Sequence, residues 1–171
     1  MLDALPLPFS FASRAGEAVL RRATTDDTDA VIALLSDDPI SASRGDRASA
    51  DDRPAYAQGL RDILADPSND LLVIELDGTV VGTLQLTSLP GMARRGARRL
   101  QVEAVRVRST LRSSGIGSAA MRWVGECAAP AVGATIVQLT SDAARTDAHR
   151  FYERLGYTGS HLGFKYAVPT A

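Results

Sequence analysis

The chain has 171 residues, 45% of them hydrophobic and 23% charged, which suits one compact domain at about 150 residues per domain that buries about 70% of its unfolded surface. A formal net charge of −1 lacks the basic excess of a nucleic-acid or anionic-membrane binder. A lone Cys127 excludes an intramolecular disulfide and a multi-cysteine metal site, and no run approaches the roughly 20 apolar residues of a membrane span.

Residues 1–16 read as an N-terminal arm, because Leu5-Pro6-Leu7-Pro8 favours extended backbone. They carry no basic stretch followed by an apolar run, so no signal peptide is read and a cytoplasmic location is expected. Residues 17–171 read as a single domain. A strand is expected from near Ala18. Thr25-Asp26-Asp27 then offers capping oxygens and negative charge to a helix with Val31, Leu34 and Leu35 on one face, which should stop before Pro39. The small, polar stretch from Ser41 to Arg53 suits a mobile connection. A second helix opens at Pro54, with Tyr56, Leu60, Ile63 and Leu64 at helical spacing, and ends at Pro67 and Asn69.

Residues 71–74 and 80–86 are β-rich runs around Asp77-Gly78, the mark of a hairpin. The loop at 90–99 carries Arg94, Arg95, Arg98 and Arg99, readable as a solvated charge run or as an anion contact. A strand over 100–107, a helix from Ile116 to about Ala128, a strand over 134–140, a helix over 148–155 and a last strand over 161–168 complete the order. The fold class is therefore α/β, a mixed sheet of six to seven strands flanked by about four helices, with at least one right-handed β-α-β crossover.

The segment from Gln101 to Trp123 carries most of the chemistry. Leu100 and Val102 are apolar on even positions, whereas Val105 and Val107 are apolar on odd ones. The phase slips near Glu103-Ala104, as a β-bulge would make it do; burial of both faces would also abolish the alternation. Arg112-Ser113-Ser114-Gly115-Ile116-Gly117 then enters a helix. Glycines there allow close backbone approach, and the first-turn amides form an anion site if a ligand is present; otherwise the segment is only a turn. Cys127 completes the helix's apolar stripe and reads as a core residue. His149 and His161 read as structural, and two histidines without a carboxylate cluster make no metal site.

Two motifs together resemble one family. Arg112-x-x-Gly115-x-Gly117 after Val105-Arg106-Val107, followed by Phe151-Tyr152-Glu153-Arg154-Leu155-Gly156-Tyr157 after the next strand, resembles the GCN5-related N-acetyltransferase (GNAT) family in order and spacing. The linking residues Val137 to Asp142 and Asp147 to Arg150 resemble bacterial members, and the element order fits from about 18 to 168. The resemblance implies the GNAT acyl-CoA N-acyltransferase fold, acetyl-CoA as cosubstrate and no metal. It implies a pyrophosphate loop formed by Arg112, Ser113, Ser114, Gly115, Ile116 and Gly117, with Ser118 adding an amide. It also implies that Val105, Arg106 and Val107 pair with the pantetheine arm, with an amide near Val105 meeting the thioester carbonyl.

Two side chains receive catalytic roles from the resemblance. Tyr152 stands where members protonate the leaving thiolate, the alternative being a core aromatic. Glu103 stands where members place a carboxylate that takes the proton of the acceptor ammonium, the alternatives being an ammonium-binding group or an ion pair with arginine. Two positions depart from the pattern. Ser113 replaces a common glycine, tolerable with negative φ, and Arg145 replaces an asparagine, which puts that contact in doubt. The implied activity is transfer of acetyl from acetyl-CoA to a primary amine in a ternary complex, a small-molecule acceptor being favoured over a protein. No nucleic-acid or membrane partner is expected, and a homodimer is compatible with the fold. The competing reading is an acetyl-CoA-binding sensor without turnover.

Overall fold

Alternating apolar residues on both faces of a six-stranded sheet organise the larger part of the chain. The computed structural model describes residues 2–38, 40, 42, 45 and 48–169, which fall into two compact units, Met1–Leu139 and Thr140–Ala171. The first holds strands β1 (Phe9–Ser13), β2 (Gly16–Arg22), β3 (Asn69–Leu76), β4 (Thr79–Leu89), β5 (Arg99–Val107) and β6 (Ile136–Leu139), side by side in chain order. Neighbours from β1 to β5 are antiparallel, and β5 and β6 are parallel. The sheet is thus the expected mixed one, with six strands.

One face of the sheet presents Leu20, Leu72, Ile74, Leu84, Leu86, Leu100 and Val102, each at most 1% exposed. Against this side lies helix α3 (Ile116–Trp123), which contacts β5 and β1, and the Trp123 ring sits 6.2 Å from that of Phe9. The helix widens into a π turn at Val124–Ala128 shortly before Pro130, whose ring nitrogen cannot donate to the preceding turn. The opposite face carries Leu71 and Val73, which pack with Ala23, Val31 and Leu60. Val31 and Leu60 come from helices α1 (Thr28–Ser36) and α2 (Arg53–Ala65), and Leu35 and Ile63 of the same predicted stripes pack beside them, whereas Leu64, expected on the α2 stripe, is exposed.

Two expectations need correction, and a third falls partly outside the described residues. Residues 1–16 are not merely peripheral: they supply β1, which pairs Phe9 with Leu20 and Ser13 with Gly16, and they bury Leu2 and Leu5. Extended backbone beside β2 found a ladder partner. In the expected connection from Ser41 to Arg53, residues 41, 43, 44, 46 and 47 lie outside the described residues, and Ala50–Asp52 is a 3-10 turn capped by the Ser49 side chain. Residues 161–168 form no strand. Leu162, Phe164, Tyr166 and Val168 alternate correctly but are 79–91% exposed, since alternation makes a strand only where a neighbouring ladder takes up its N–H and C=O groups.

The second unit contains helix α4 (Thr146–Arg154), two residues ahead of its predicted start. Among the described residues no helix is long and apolar enough to cross a membrane.

One ion pair ties the start of α1 to the sheet. Arg21 donates from both terminal nitrogens to Asp27, at 2.8 and 2.9 Å, and from Nε to Glu75 at 2.8 Å, while the Thr24 amide donates to Asp27 Oδ2 at 2.8 Å. The Arg21 hydrogen bonds hold the Asp27 carboxyl below its ordinary value, against the opposing effect of burial. A depressed carboxyl contributes its full stability above the unfolded pKa of about 3.9 and loses it as pH falls through the lower folded value. Asp27→Asn is expected to cost about 1–3 kcal/mol near neutral pH and to flatten the acid limb of the stability curve, as measured by urea unfolding at a series of pH values.

Candidate active site

The strand predicted to slip does so where expected. Gln85 pairs with Glu103 and Thr83 with Arg106, so Leu84 on β4 faces both Ala104 and Val105 on β5, which is a bulge. Ala104 has φ 50°, a left-handed conformation that costs a side-chain-bearing residue about 1–2 kcal/mol. Of the two readings left open by the sequence, the bulge is the one the backbone adopts.

The bulge controls where backbone groups point. Beyond it the Arg108 amide donates to the Val81 carbonyl on β4 at 2.8 Å, and the Arg106 carbonyl also faces β4, beside Gly82. Backbone groups alternate sides along a strand, so the amides of Val105 and Val107 point away from β4. On that side β6 pairs with β5 only as far as Val102 opposite Leu139. Residues 103–107 of β5 therefore present a ladder edge past the end of the β6 pairing. Gly82 permits this arrangement: a Cβ there would lie 2.9 Å from the Arg106 oxygen and 3.0 Å from Ile74 Cδ1. Sequence reading passed over it, although a glycine inside a β-rich run is a recognised sign of close backbone approach.

The loop that leads from β5 into α3 is a second source of amides. Residues Ser109–Leu111 make a 3-10 turn, and Ser114 Oγ donates to the Leu111 carbonyl at 2.6 Å. Ser113 has φ 63° and Gly115 φ 93°. The condition under which serine was tolerable there, a negative φ, is therefore not met, and Ser113 holds a glycine-like conformation at a cost of about 1–2 kcal/mol. The first α3 hydrogen bond runs from Ala119 N to Gly115 O. The amides of Ile116, Gly117 and Ser118 therefore have no acceptor within the helix and point, with the positive end of its dipole, out of its N-terminus.

Two residues that the sequence did not single out brace this loop. The Arg14 amide donates to Ser114 O at 2.8 Å and its guanidinium to Ser113 O at 3.3 Å. Asp37, at the end of α1, accepts from the Ser109 amide at 2.6 Å through Oδ2 and from Arg112 Nη2 at 3.2 Å through its carbonyl. No local signal marks either one, because the partners lie 99 and 72 residues away along the chain.

On the α1–α2 face of the sheet is a cavity of about 550 Å3. Its apolar wall comes from Val31, Ile32, Leu35, Leu60, Ile63 and Leu71, and its floor from Thr83, Gln85 and the bulged Ala104. Glu103 is exposed and stands opposite Gln85 across the ladder, which puts both side chains on the cavity's face of the sheet. The fold thus gathers Glu103, the bulge, the β5 edge and the cavity around one point. Arg94 and Arg95 are exposed, whereas Arg98 donates to Ser88 Oγ at 2.8 Å and Arg99 to Gln138 at 3.4 Å.

Within the second unit, Tyr152 is half-buried on α4. Its ring centroid is 5.1 Å from that of Phe151 and 5.8 Å from that of Tyr157. Burial, reinforced by Tyr152, pushes the Tyr157 phenol up to about 12, so Tyr157 stays protonated at neutral pH. His149 Nε2 lies 2.8 Å from the Asp142 carbonyl, a structural contact at the start of α4, and Arg145 occupies the N-cap position of that helix. His161 is exposed and bonds to Ser160.

Residues 29–157 match the acetyltransferase (GNAT) family. The chain is 32% identical over 149 residues to the aminoalkylphosphonate N-acetyltransferase of Salmonella typhimurium, covering 87% of this chain and 90% of that one. The crystal structure of a transcriptional regulator from Bacillus halodurans is similar with a TM-score of 0.83 and 35% identity, over 88% of this chain and 99% of that one. Glucosamine-6-phosphate N-acetyltransferase from Arabidopsis thaliana, 17% identical, shares the fold with a TM-score of 0.71 over 89% of this chain and 99% of its own.

Gly82→Ala should force β4 and β5 apart beside the bulge. We expect a loss of about 1–3 kcal/mol in urea unfolding, together with weaker acetyl-CoA binding by calorimetry.

Proposed function

Because the chain belongs to the acetyltransferase (GNAT) family, whose members use acetyl-CoA, we propose that it transfers acetyl directly to the primary amine of a small-molecule acceptor while both substrates are bound. The observation that carries this reading is the bulge at Ala104, which sets an open β5 edge and the cavity against each other. The Salmonella relative, an N-acetyltransferase of a small molecule by name, supports the choice of acceptor size.

Acetyl-CoA supplies an activated acyl group, and the residues present fit it. The amides of Ile116, Gly117 and Ser118, in the loop that runs from Arg112 through Ser113, Ser114 and Gly115, hold the pyrophosphate without any lysine. Val105, Arg106 and Val107 align the pantetheine arm along the open edge. The Val105 amide donates to the thioester carbonyl and stabilises the negative charge that grows there as the amine attacks. An amine with a pKa near 10 is almost fully protonated at neutral pH, so Glu103, on the cavity's face of the sheet, removes its proton through water. Tyr152 returns a proton to the thiolate as the carbon–sulfur bond breaks. With a pKa of about 8.5 the thiol leaves readily, so Tyr152 assists more than it decides. On this reading the N-acetyltransferase domain takes in β1 together with the expected residues 17–171 and works in the bacterial cytoplasm; the family match covers residues 29–157 of it.

A second reading is favoured by the name of the Bacillus halodurans relative, a transcriptional regulator: an acetyl-CoA-binding module that acts on a partner. Release of CoA thiol on addition of an amine separates the two. We expect Glu103→Gln to lower kcat/KM about 100-fold in that assay with acetyl-CoA affinity unchanged, and Tyr152→Phe to lower kcat by a smaller factor; equal activity of both variants and wild type would remove these roles. Initial-rate plots against both substrates should intersect, as a ternary complex requires, and parallel lines would point to an acetylated protein instead.

A further inference from the structure

Gln85 lines the cavity and stands directly opposite Glu103 across the β4–β5 ladder. A chain of hydrogen bonds that begins on an anion holds its carboxamide in one orientation. Asp66 Oδ1 accepts from the Ser68 amide at 2.8 Å, and Asp66 Oδ2 accepts from Asn69 Nδ2 at 2.7 Å. The Ser68 amide, and after it the Asn69 side chain, hold the Asp66 carboxyl below its ordinary value, so at neutral pH it is ionised and can only accept. Asn69 therefore turns its nitrogen to Asp66 and its oxygen away. That oxygen accepts from Thr87 Oγ1 at 2.6 Å and from Gln85 Nε2 at 3.2 Å.

The consequence falls on Gln85. Facing an oxygen that cannot donate, its amide presents the nitrogen to Asn69 and keeps Oε1 on the other branch of the planar group. The partners of a carboxamide decide which way it points, and here the decision passes from Asp66 through Asn69. Residues directly opposed in an antiparallel ladder have Cβ atoms about 5 Å apart, so Gln85 Oε1 and the Glu103 carboxylate come within reach of one bound nitrogen. The two oxygens differ in charge. A second carboxylate beside Glu103 would stabilise the charged form of an amine and hold its proton on. A neutral amide oxygen accepts an N–H from the ammonium and from the free amine alike, so it keeps the nitrogen in place while the proton leaves and the lone pair forms.

Resting on the acetyl-transfer reading above, we infer that Gln85 Oε1 accepts a hydrogen bond from the nitrogen of the acceptor amine, beside Glu103, and that Asn69 is the positioning residue that aims this oxygen. Gln85 holds an N–H that stays on the nitrogen, and Glu103 takes the one that leaves. Asn69 touches no substrate and acts through Gln85 alone.

The test measures CoA thiol release from acetyl-CoA with two probes, ethylamine and 2-aminoethylphosphonate, which have in common an amine on a two-carbon chain. Gln85→Met keeps the length of the side chain and loses the oxygen. KM for both amines should rise by a similar factor of about ten or more, with acetyl-CoA affinity by calorimetry unchanged. Asn69→Leu leaves the oxygen but frees the amide to turn. It should raise the same KM about threefold in the wild type and not at all in the Gln85→Met background, whereas a merely structural effect would be equal in the two. A KM unmoved by Gln85→Met, or a loss confined to one amine, overturns the Gln85 contact and leaves acetyl transfer standing. An equal effect of Asn69→Leu in both backgrounds overturns the positioning role. Absence of thiol release with either amine, when acetyl-CoA still binds, overturns the acetyl-transfer reading and this inference with it.

Discussion

One extra residue in the ladder between β4 and β5 is the constraint on which the candidate site depends. At Ala104 and Val105 two residues face Leu84 alone, and a regular strand would have kept the pleat in phase across this point. Glu103 stays on the cavity face while the amides of Val105 and Val107 turn toward the side where β6 has stopped pairing. The unpaired β5 edge and the cavity meet because the strand changes phase between them.

The neighbourhood shows what holds that irregularity in place. Gly82 removes the side chain that would collide with the Arg106 oxygen. Past the bulge, the Arg108 guanidinium donates to the Val80 carbonyl at 2.9 Å, and its amide resumes the ladder on Val81. The following loop is fastened from both sides, by Arg14 of the β1–β2 turn and by Asp37 at the end of α1. Left-handed Ala104 and Ser113 are strained conformations that such surroundings over-determine, and strain of this kind gathers where a backbone must offer its amides to a ligand.

Electrostatics follow the same local logic. The chain is almost neutral overall, and the anion it is proposed to bind calls for no basic surface, because three helix amides and a dipole act over a few ångströms. The cavity is equally economical, with one carboxylate and an aliphatic wall among its described residues.

Local pattern alone determined much of this protein. The stripes Val31-Leu34 and Tyr56-Leu60-Ile63, the Asp77-Gly78 turn, the phase slip at Glu103-Ala104 and the glycine entry to α3 were all legible, because each depends on residues within a turn or two of one another. The spacing of the loop and α4 motifs identified the family for the same reason. Contacts between distant segments were decided only by the tertiary structure. Phe9–Ser13 became a strand because β2 was there to pair with it, whereas 161–168, with the better alternation, did not. Arg14, Asp37 and Gly82 matter through partners far along the chain or through one close approach of backbone atoms, and the cavity exists only once α1 and α2 lie on the sheet. A ladder, a brace and a void are relations between segments, and no single stretch of sequence contains them.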